Sequence, residues 1–387
     1  MEIFEFLFFF AVILVAAKIF GELAMKCGQS AIIGELIAGV IIGPSVLGIV
    51  HKTATFGEIA ELGAVILLFE AGLSTNIKEF ARAGGWATAV AFVGVLLPYL
   101  FGYFTFLAFG MSTTSAIFAG AVLTATSVGI TARVFLDLKK LDTEEAKIVL
   151  GAAVIDDVIG LVILAVVTNL VSGNEMSILS IAQISAKAVL FLAVVVGLGL
   201  LVISFIFDKI AKHMKQDGVI FVLAIALCLF VAALSKKVEL APIVGAFAMG
   251  LVLSNTKHVE AIKQGVKPLY LFLVPVFFVL MGTEVDISIF NLFVAENRNI
   301  LMLAAILFAV AFIGKALAGF VVLKKNVNKL LVGVAMVPRG EVGLIFASMG
   351  LSIGVFQQQI YSALVVVIML TTFVTPILLK IMLSKKQ

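Results

Sequence analysis

Apolar runs too long for a soluble fold govern what this chain can become. They fall at about 3–23, 31–50, 57–73, 85–109, 113–136, 144–171, 178–207, 218–235, 239–255, 267–283, 299–323, 329–354 and 358–380. A helix that crosses the hydrocarbon layer needs about 20 largely apolar residues, so the chain reads as thirteen spans. The apolar residues come as runs, not as the alternating segments of a membrane barrel. Lipid offers the backbone no hydrogen-bond partner, which leaves helices as the solution. Composition agrees: 63% of residues are hydrophobic and 13% charged, where soluble chains hold about 45–50% and about 25%. A soluble enzyme, a disordered chain and a disulfide-rich scaffold are excluded.

The connections are short, the longest at about 286–298. One integral membrane unit over 1–387 is expected, with no soluble domain. The first run carries Glu2 and Glu5 where a signal peptide would be basic, so it reads as a retained helix. Cys27 and Cys228 lie in or beside apolar runs, which suggests neither a disulfide framework nor a thiolate metal site. His51, His213 and His258 fall in separate loops, which argues against a histidine metal or haem site. No cofactor is expected. The net charge of +4 is spread over many loops and carries no nucleic-acid signature. With the amino terminus outside, seventeen lysines and arginines fall in inner loops and the tail. Only Lys52, Lys236, Lys237 and Arg298 fall outside. The positive-inside rule therefore predicts an outer amino terminus and a cytoplasmic carboxyl terminus in the cell membrane.

Charge at membrane depth is costly and marks function by default. The residues concerned are Glu35, Glu70, Asp156, Asp157, Lys187, Lys315, Arg339 and Glu341. Lys187 is the weakest of them, because its long stem lets it snorkel to the interface. Glu70, four residues before Ser74, is either an interfacial carboxylate or a lining of the inner cavity. Asp156 and Asp157 lie mid-span in Ala152-Ala-Val-Ile-Asp-Asp-Val-Ile-Gly160. Adjacent helical residues point about 100° apart, so both flank one polar cavity without facing each other. Two carboxylates in a low dielectric resist being ionised together. A carboxylate that trades a proton near neutral pH also ligates a hard cation through oxygen. One site then holds a proton or a cation in turn, which is the chemistry of antiport. The alternative is a buried pair that serves structure alone. Lys315, in Ala311-Phe-Ile-Gly-Lys-Ala-Leu-Ala-Gly319, reads as near mid-span and needs a partner. An aspartate of the pair fits, either as a purely structural ion pair or as one that a cation displaces.

Two spans look interrupted. Span five carries Thr124-Ala-Thr-Ser-Val-Gly129 at its centre, and span twelve carries Val337-Pro-Arg-Gly-Glu-Val-Gly343. Pro338 removes a backbone donor, and the glycines weaken the helix around it. Such backbone is tolerated at this depth only where it lines a cavity or packs in protein. It also exposes half-helix dipole ends. Glu341 suits the amino-terminal ends and Lys315 the carboxyl-terminal ends; alternatively, Glu341 and Arg339 pair with each other. The two interrupted spans lie seven apart and so run in opposite directions. That pattern points to inverted repeats at about 1–172 and 218–383, joined by a linker helix at 178–207, with a transport site at the breaks.

Several stretches carry a resemblance over nearly the whole chain. They are Ile33-Gly-Glu-Leu-Ile-Ala-Gly-Val-Ile-Ile-Gly-Pro-Ser-Val-Leu-Gly48, Leu67-Leu-Phe-Glu-Ala-Gly-Leu73, the 124–129 break and Asp156-Asp157. They continue with Gly245-Ala-Phe-Ala-Met-Gly-Leu251, Pro275-Val-Phe-Phe-Val-Leu-Met-Gly282, Lys315 and Arg339-Gly-Glu341. In this order they resemble the NapA-like sodium/proton antiporters of the second monovalent cation–proton antiporter family. The resemblance implies an all-α, NhaA-like antiporter fold of about thirteen transmembrane helices. It implies a homodimer whose mobile core, with discontinuous helices 5 and 12 crossed, moves as an elevator against a dimer domain. By that likeness Asp157 is the main carboxylate for cation and proton, and Asp156 pairs with Lys315 in the cation-free state. Thr126 and Ser127 supply oxygens near the ion, and Glu341 balances the dipoles. The Asp-Asp pair together with Lys315 resembles the electrogenic group, not relatives with Asn-Asp or Gln-Asp. At Glu70-Ala-Gly-Leu73 the chain departs from relatives that often carry an apolar residue in place of the glutamate and an acid after the leucine.

The expected function is exchange of Na⁺ (and Li⁺) for protons across a lipid bilayer. Rival readings are a potassium/proton exchanger, a sodium-coupled organic-anion symporter resembling the bile-acid transporters, and a gated channel. No nucleophile–base set, Walker loop or metal cluster supports an enzyme.

Overall fold

In a computed structural model, the described residues are 3–384 except 28, 30, 52, 76, 172–177, 204–206, 208, 210–217, 239, 286 and 292. No strand occurs among them. Of the residues singled out above, Glu2, Lys52 and His213 lie outside the described residues, as does the side chain of Glu341.

The first half holds α1 (Ile3–Lys26), α2 (Ala31–Ile42), α3 (Ala54–Leu73), α4 (Ile77–Ala108), α5 (Thr113–Thr124), α6 (Val128–Asp137) and α7 (Glu144–Val171). Helix α8 (Ile178–Leu198) follows and widens into a π-turn at Gly199–Ile203. The second half holds α9 (Val219–Lys237), α10 (Pro242–Leu253), α11 (Val259–Thr283), α12 (Ala295–Ala318), α13 (Lys329–Ala335), α14 (Glu341–Ser352) and α15 (Gln358–Ser384). Among the described residues, seven helical segments are long and apolar enough to cross a membrane. Polar side chains start several helices: Thr53, Ser112 and Asn328 each accept a hydrogen bond from the backbone three residues on, which satisfies one of the orphan donors there.

Three expectations need correction. The run at 31–50 is helical only to Ile42, because Gly43 and Pro44 start a turn. Lys315 lies nearer the end of its helix than its middle: it stands in the last α-helical turn of α12, which runs on as a 3-10 turn over Gly319–Val321. The run at 267–283 begins earlier, at Val259, with Pro268 and Pro275 inside the helix.

The most extensive contacts fall into two groups. Helices α1, α2, α3, α9, α10 and α11 pack among themselves, as do α4–α7 with α12–α15. Contacts between the groups run mainly through α6, which touches α2 and α3, while α8 lies between α7 and α10. Within membrane bundles small residues let backbones approach closely. Gly34 sits so near the Phe20 carbonyl of α1 that a Cβ would fall 2.0 Å from its oxygen, and Gly245 meets the Val231 carbonyl of α9 at 2.7 Å. The same interval along the chain separates Gly34 from Gly245 and Phe20 from Val231. The relation recurs to within one residue where Gly39 meets Val279 and Gly250 meets Phe69.

Candidate ion site at two helix breaks

Helix α5 stops at Thr124, and α6 starts at Val128. Between them the backbone is extended, with Ala125 at φ −54° and ψ 140°. Helix α13 stops at Ala335, and 337–340 carry no regular structure before α14. Each break leaves carbonyls at one half-helix end and N–H groups at the other without helical partners. The two breaks supply one another. Ser127 N donates to Pro338 O at 2.7 Å. Thr126 Oγ1 donates to Met336 O at 3.3 Å, and Thr131 Oγ1 to Ala335 O at 2.6 Å. Pro338 has no N–H to satisfy, so its carbonyl is the group that matters.

Arg339 completes the arrangement. It is fully buried. Its Nη2 donates to Leu123 O at 2.6 Å and its Nη1 to Val337 O at 2.8 Å, with Ala311 O at 3.5 Å from Nη2. Leu123 lies in the last turn of α5, and Val337 follows the end of α13. The carbonyls at both carboxyl-terminal ends therefore receive Arg339, not Lys315. A planar guanidinium holds its several donors in a fixed fork that reaches both segments at once. Thr372 of α15 in turn donates to the Arg339 carbonyl.

The contact leaves no room for a side chain at 340 unless Ser127 and Met281 shift. A Cβ there would lie 2.7 Å from Ser127 Oγ and 2.9 Å from Met281 Cε. Overpacking of this kind costs about 1–3 kcal/mol. Gly340→Ala is expected to lower the melting temperature of the purified protein by several degrees; an unchanged melting curve would separate the two breaks.

The charged side chains converge from other helices. Helix α12 crosses α4 with Gly314 against Pro98 and Gly94 against Ala318. That crossing carries Lys315 inward, where it is fully buried, and its Nζ donates to Asp156 Oδ2 at 3.3 Å. Asp156 is buried, and its Oδ1 has no hydrogen-bond partner among the described residues. Asp157 is half-buried and acts electrostatically on Lys315, as Arg339 does on both Lys315 and Asp156. Thr126 and Ser127 are both buried at the break, and Ser127 Oγ has no hydrogen-bond partner among the described residues. The site thus gathers two carboxylates, two cations and the hydroxyls of an interrupted helix.

The remaining candidates lie apart. Glu70 accepts from Ser74 Oγ at 3.4 Å, and the charges acting on it are Lys263, Glu260 and Lys267. Lys187 is exposed. The sequence named Glu35 without a partner and passed over Arg133 and Asp137. The structure joins all three: Arg133 reaches Glu35 at 3.5 Å and Asp137 at 2.9 Å. The available signal was an arginine inside an apolar run, masked by an acid four residues on.

Known proteins share this architecture. A family model described as "Sodium/hydrogen exchanger, transmembrane" matches residues 7–385. The chain is 36% identical to the high-affinity Na⁺/H⁺ antiporter NhaS3 of Synechocystis, over 94% of this chain and 87% of that protein. It is 33% identical to the Na⁺/H⁺-K⁺ antiporter GerN of Bacillus cereus, over 97% of this chain and 96% of that one. The sodium proton antiporter MjNhaP1 of Methanocaldococcus jannaschii, solved at pH 8, has the same fold with a TM-score of 0.70 at 19% identity, covering 100% of this chain and 99% of that one. With the apolar spans and the two touching breaks, these matches establish that the chain belongs to the transmembrane sodium/hydrogen exchanger family of multi-pass monovalent cation:proton antiporters.

Proposed function

We propose that the protein is an electrogenic Na⁺(Li⁺)/H⁺ antiporter in which cation and protons compete for Asp157 and Asp156. The observation that carries this reading is the buried Lys315–Asp156 pair beside Asp157, next to the two touching breaks. With all four groups ionised, Asp156, Asp157, Lys315 and Arg339 sum to zero charge. A dehydrated cation added there leaves one charge uncompensated, which is costly at this depth. Release of a proton restores the balance. Arginine keeps its proton and an ionised carboxylate has none to give, so this proton leaves from Lys315; a second, held by Asp157 until it ionises to receive the cation, makes the exchange electrogenic. Thr126 and Ser127 supply neutral oxygens, as a hard cation requires. Glu341, at the start of α14, balances the half-helix dipoles, and Glu70 lies on the inner funnel.

The recurring glycine contacts support inverted repeats at 1–172 and 218–383 with 178–207 as linker. The two packing groups support a dimer domain and a mobile core with crossed discontinuous helices, working as a homodimer by elevator-type alternating access. The lysine and arginine bias supports an outer amino terminus and a cytoplasmic carboxyl terminus in the plasma membrane. Inward proton flow then drives sodium out, with two protons per cation.

Purified protein in liposomes under an imposed pH gradient tests this. Na⁺ and Li⁺ are expected to dissipate the gradient, and a gradient indifferent to Na⁺, Li⁺ and K⁺ would refute antiport. Potassium/proton exchange is the second reading, favoured by the similarity to an antiporter named for both Na⁺ and K⁺. Dissipation by K⁺ alone would establish it. Lys315→Gln removes one proton carrier and is expected to make exchange insensitive to membrane voltage, or slower. Unchanged voltage dependence at full rate would remove Lys315 from the proton count.

A further inference from the structure

Half-helix α6 runs from the first break to Asp137, and Arg133 lies on it about 9 Å from Ser127 at 1.5 Å per residue. The Arg133 side chain is almost wholly buried, yet most of its neighbours belong to the other packing group. Its Nη2 lies 3.5 Å from Glu35 Oε1 on α2. Its guanidinium carbon sits 4.9 Å from the Tyr270 ring centroid and 5.9 Å from that of Phe278, both on α11. On its own helix it has one partner, Asp137, at 2.9 Å. A cavity of about 370 Å³ adjoins the cluster, lined by Lys18 of α1, Glu35, Arg133, Asp137 and Lys380 of α15. Glu35 Oε2, Arg133 Nη1 and Tyr270 OH are buried without a hydrogen-bond partner among the described residues.

We infer that the Arg133–Glu35 pair is a releasable latch between the two helix groups, and that Arg133 is a positioning residue for the transport step. The inference rests on the antiport reading, in which one group moves against the other. A buried ion pair that simply breaks leaves an uncompensated charge, so a latch that opens repeatedly must give each ion a second partner. Each one has it. Arg133 keeps Asp137, which travels on the same helix. Asp137 is also under the charge of Lys380. Glu35 is under the charge of Lys18, within its own group. The ion pair across the groups is also the longer of the two that Arg133 makes. The cavity gives the side chains room to change partners. The element held by the latch is the one that follows Ser127, so releasing it frees the half-helix that borders the ion site.

The test uses the full chain with Cys27→Ser and Cys228→Ser, carrying Glu35→Cys and Arg133→Cys, in liposomes. A short bis-methanethiosulfonate reagent bridges the two thiols. Bridging is expected to slow Na⁺/H⁺ exchange by about tenfold or more, as one state is held, and reduction is expected to restore it. A bridge that forms without slowing exchange, or two thiols that do not bridge, would overturn the latch. If the double-cysteine protein does not fold or exchange before bridging, Glu35→Gln decides. The apparent KM for Na⁺ is then expected to move in opposite directions on the two membrane faces, by about tenfold in their ratio, with little change in maximal rate. Equal changes on both faces, or none, would overturn the latch. Exchange by the unmutated protein and by the cysteine-free parent separates the two readings. An inactive unmutated protein counts against antiport itself; an active parent with an indifferent bridge counts only against the latch.

Discussion

Asp157→Asn is expected to abolish cation-dependent dissipation of a pH gradient in liposomes. The expected loss is about 100-fold or more, the scale seen when an essential proton-transfer group is removed. Asparagine keeps the size and much of the hydrogen-bonding capacity of aspartate, but it holds neither a negative charge nor an exchangeable proton. Both functions proposed for this position disappear while its packing stays. Asp157 is half-buried and is not the residue bonded to Lys315, so the fold should tolerate the change. The melting curve of Asp157→Asn is therefore expected to match that of the parent. Asp156→Asn contrasts with it, because it strips the buried Lys315 of its carboxylate. Leaving a buried charge unpaired costs about 3–5 kcal/mol, so that variant is expected to melt early. Full exchange in Asp157→Asn would place the ion site elsewhere.

Arg339→Met is expected to destabilise the protein by about 3–5 kcal/mol, the scale for removing one member of a buried ionic network. Two effects compete. Removing a buried guanidinium relieves its desolvation, which favours the variant. Against this, the carbonyls of Leu123 and Val337 lose their donor at 2.6 and 2.8 Å. Each buried group left unsatisfied costs about 1–3 kcal/mol. Asp156 also loses one of the two cations acting on it. The losses outweigh the relief because both carbonyls belong to half-helix ends that have no water to turn to. Arg339→Lys keeps the charge and fewer of the bonds, so it should fall between the two. Thermal unfolding of the purified protein measures both variants, and a parent-like melting point for Arg339→Met would show that other contacts hold the breaks.

Much of this site was legible in the sequence because charge is scarce in it. Asp156, Asp157 and Lys315 each stand in an apolar run where solvation is absent, so their presence alone marks them. Pro338 and the neighbouring glycines announce a broken helix in the same way. The pairings were less legible. Arg339 and Glu341 are two residues apart and suggested a local pair, yet the donors of Arg339 go to carbonyls on α5 and α12 and to that of Val337. Arg133 and Asp137 are spaced for a helix-surface ion pair, and that local solution hid the contact with Glu35.

The sequence by itself determined the all-helical membrane class, the aspartate pair and Lys315 as charges in apolar runs, and the positions of both breaks, but not the buried Arg133. These follow from local physics: transfer of polar groups into lipid, and the backbone limits of proline and glycine. Only the tertiary structure decided which charge meets which. Lys315 and Asp156 lie 159 residues apart in the chain. Whether a buried ion is compensated depends on helix crossings such as Gly314 over Pro98, not on its neighbours in sequence.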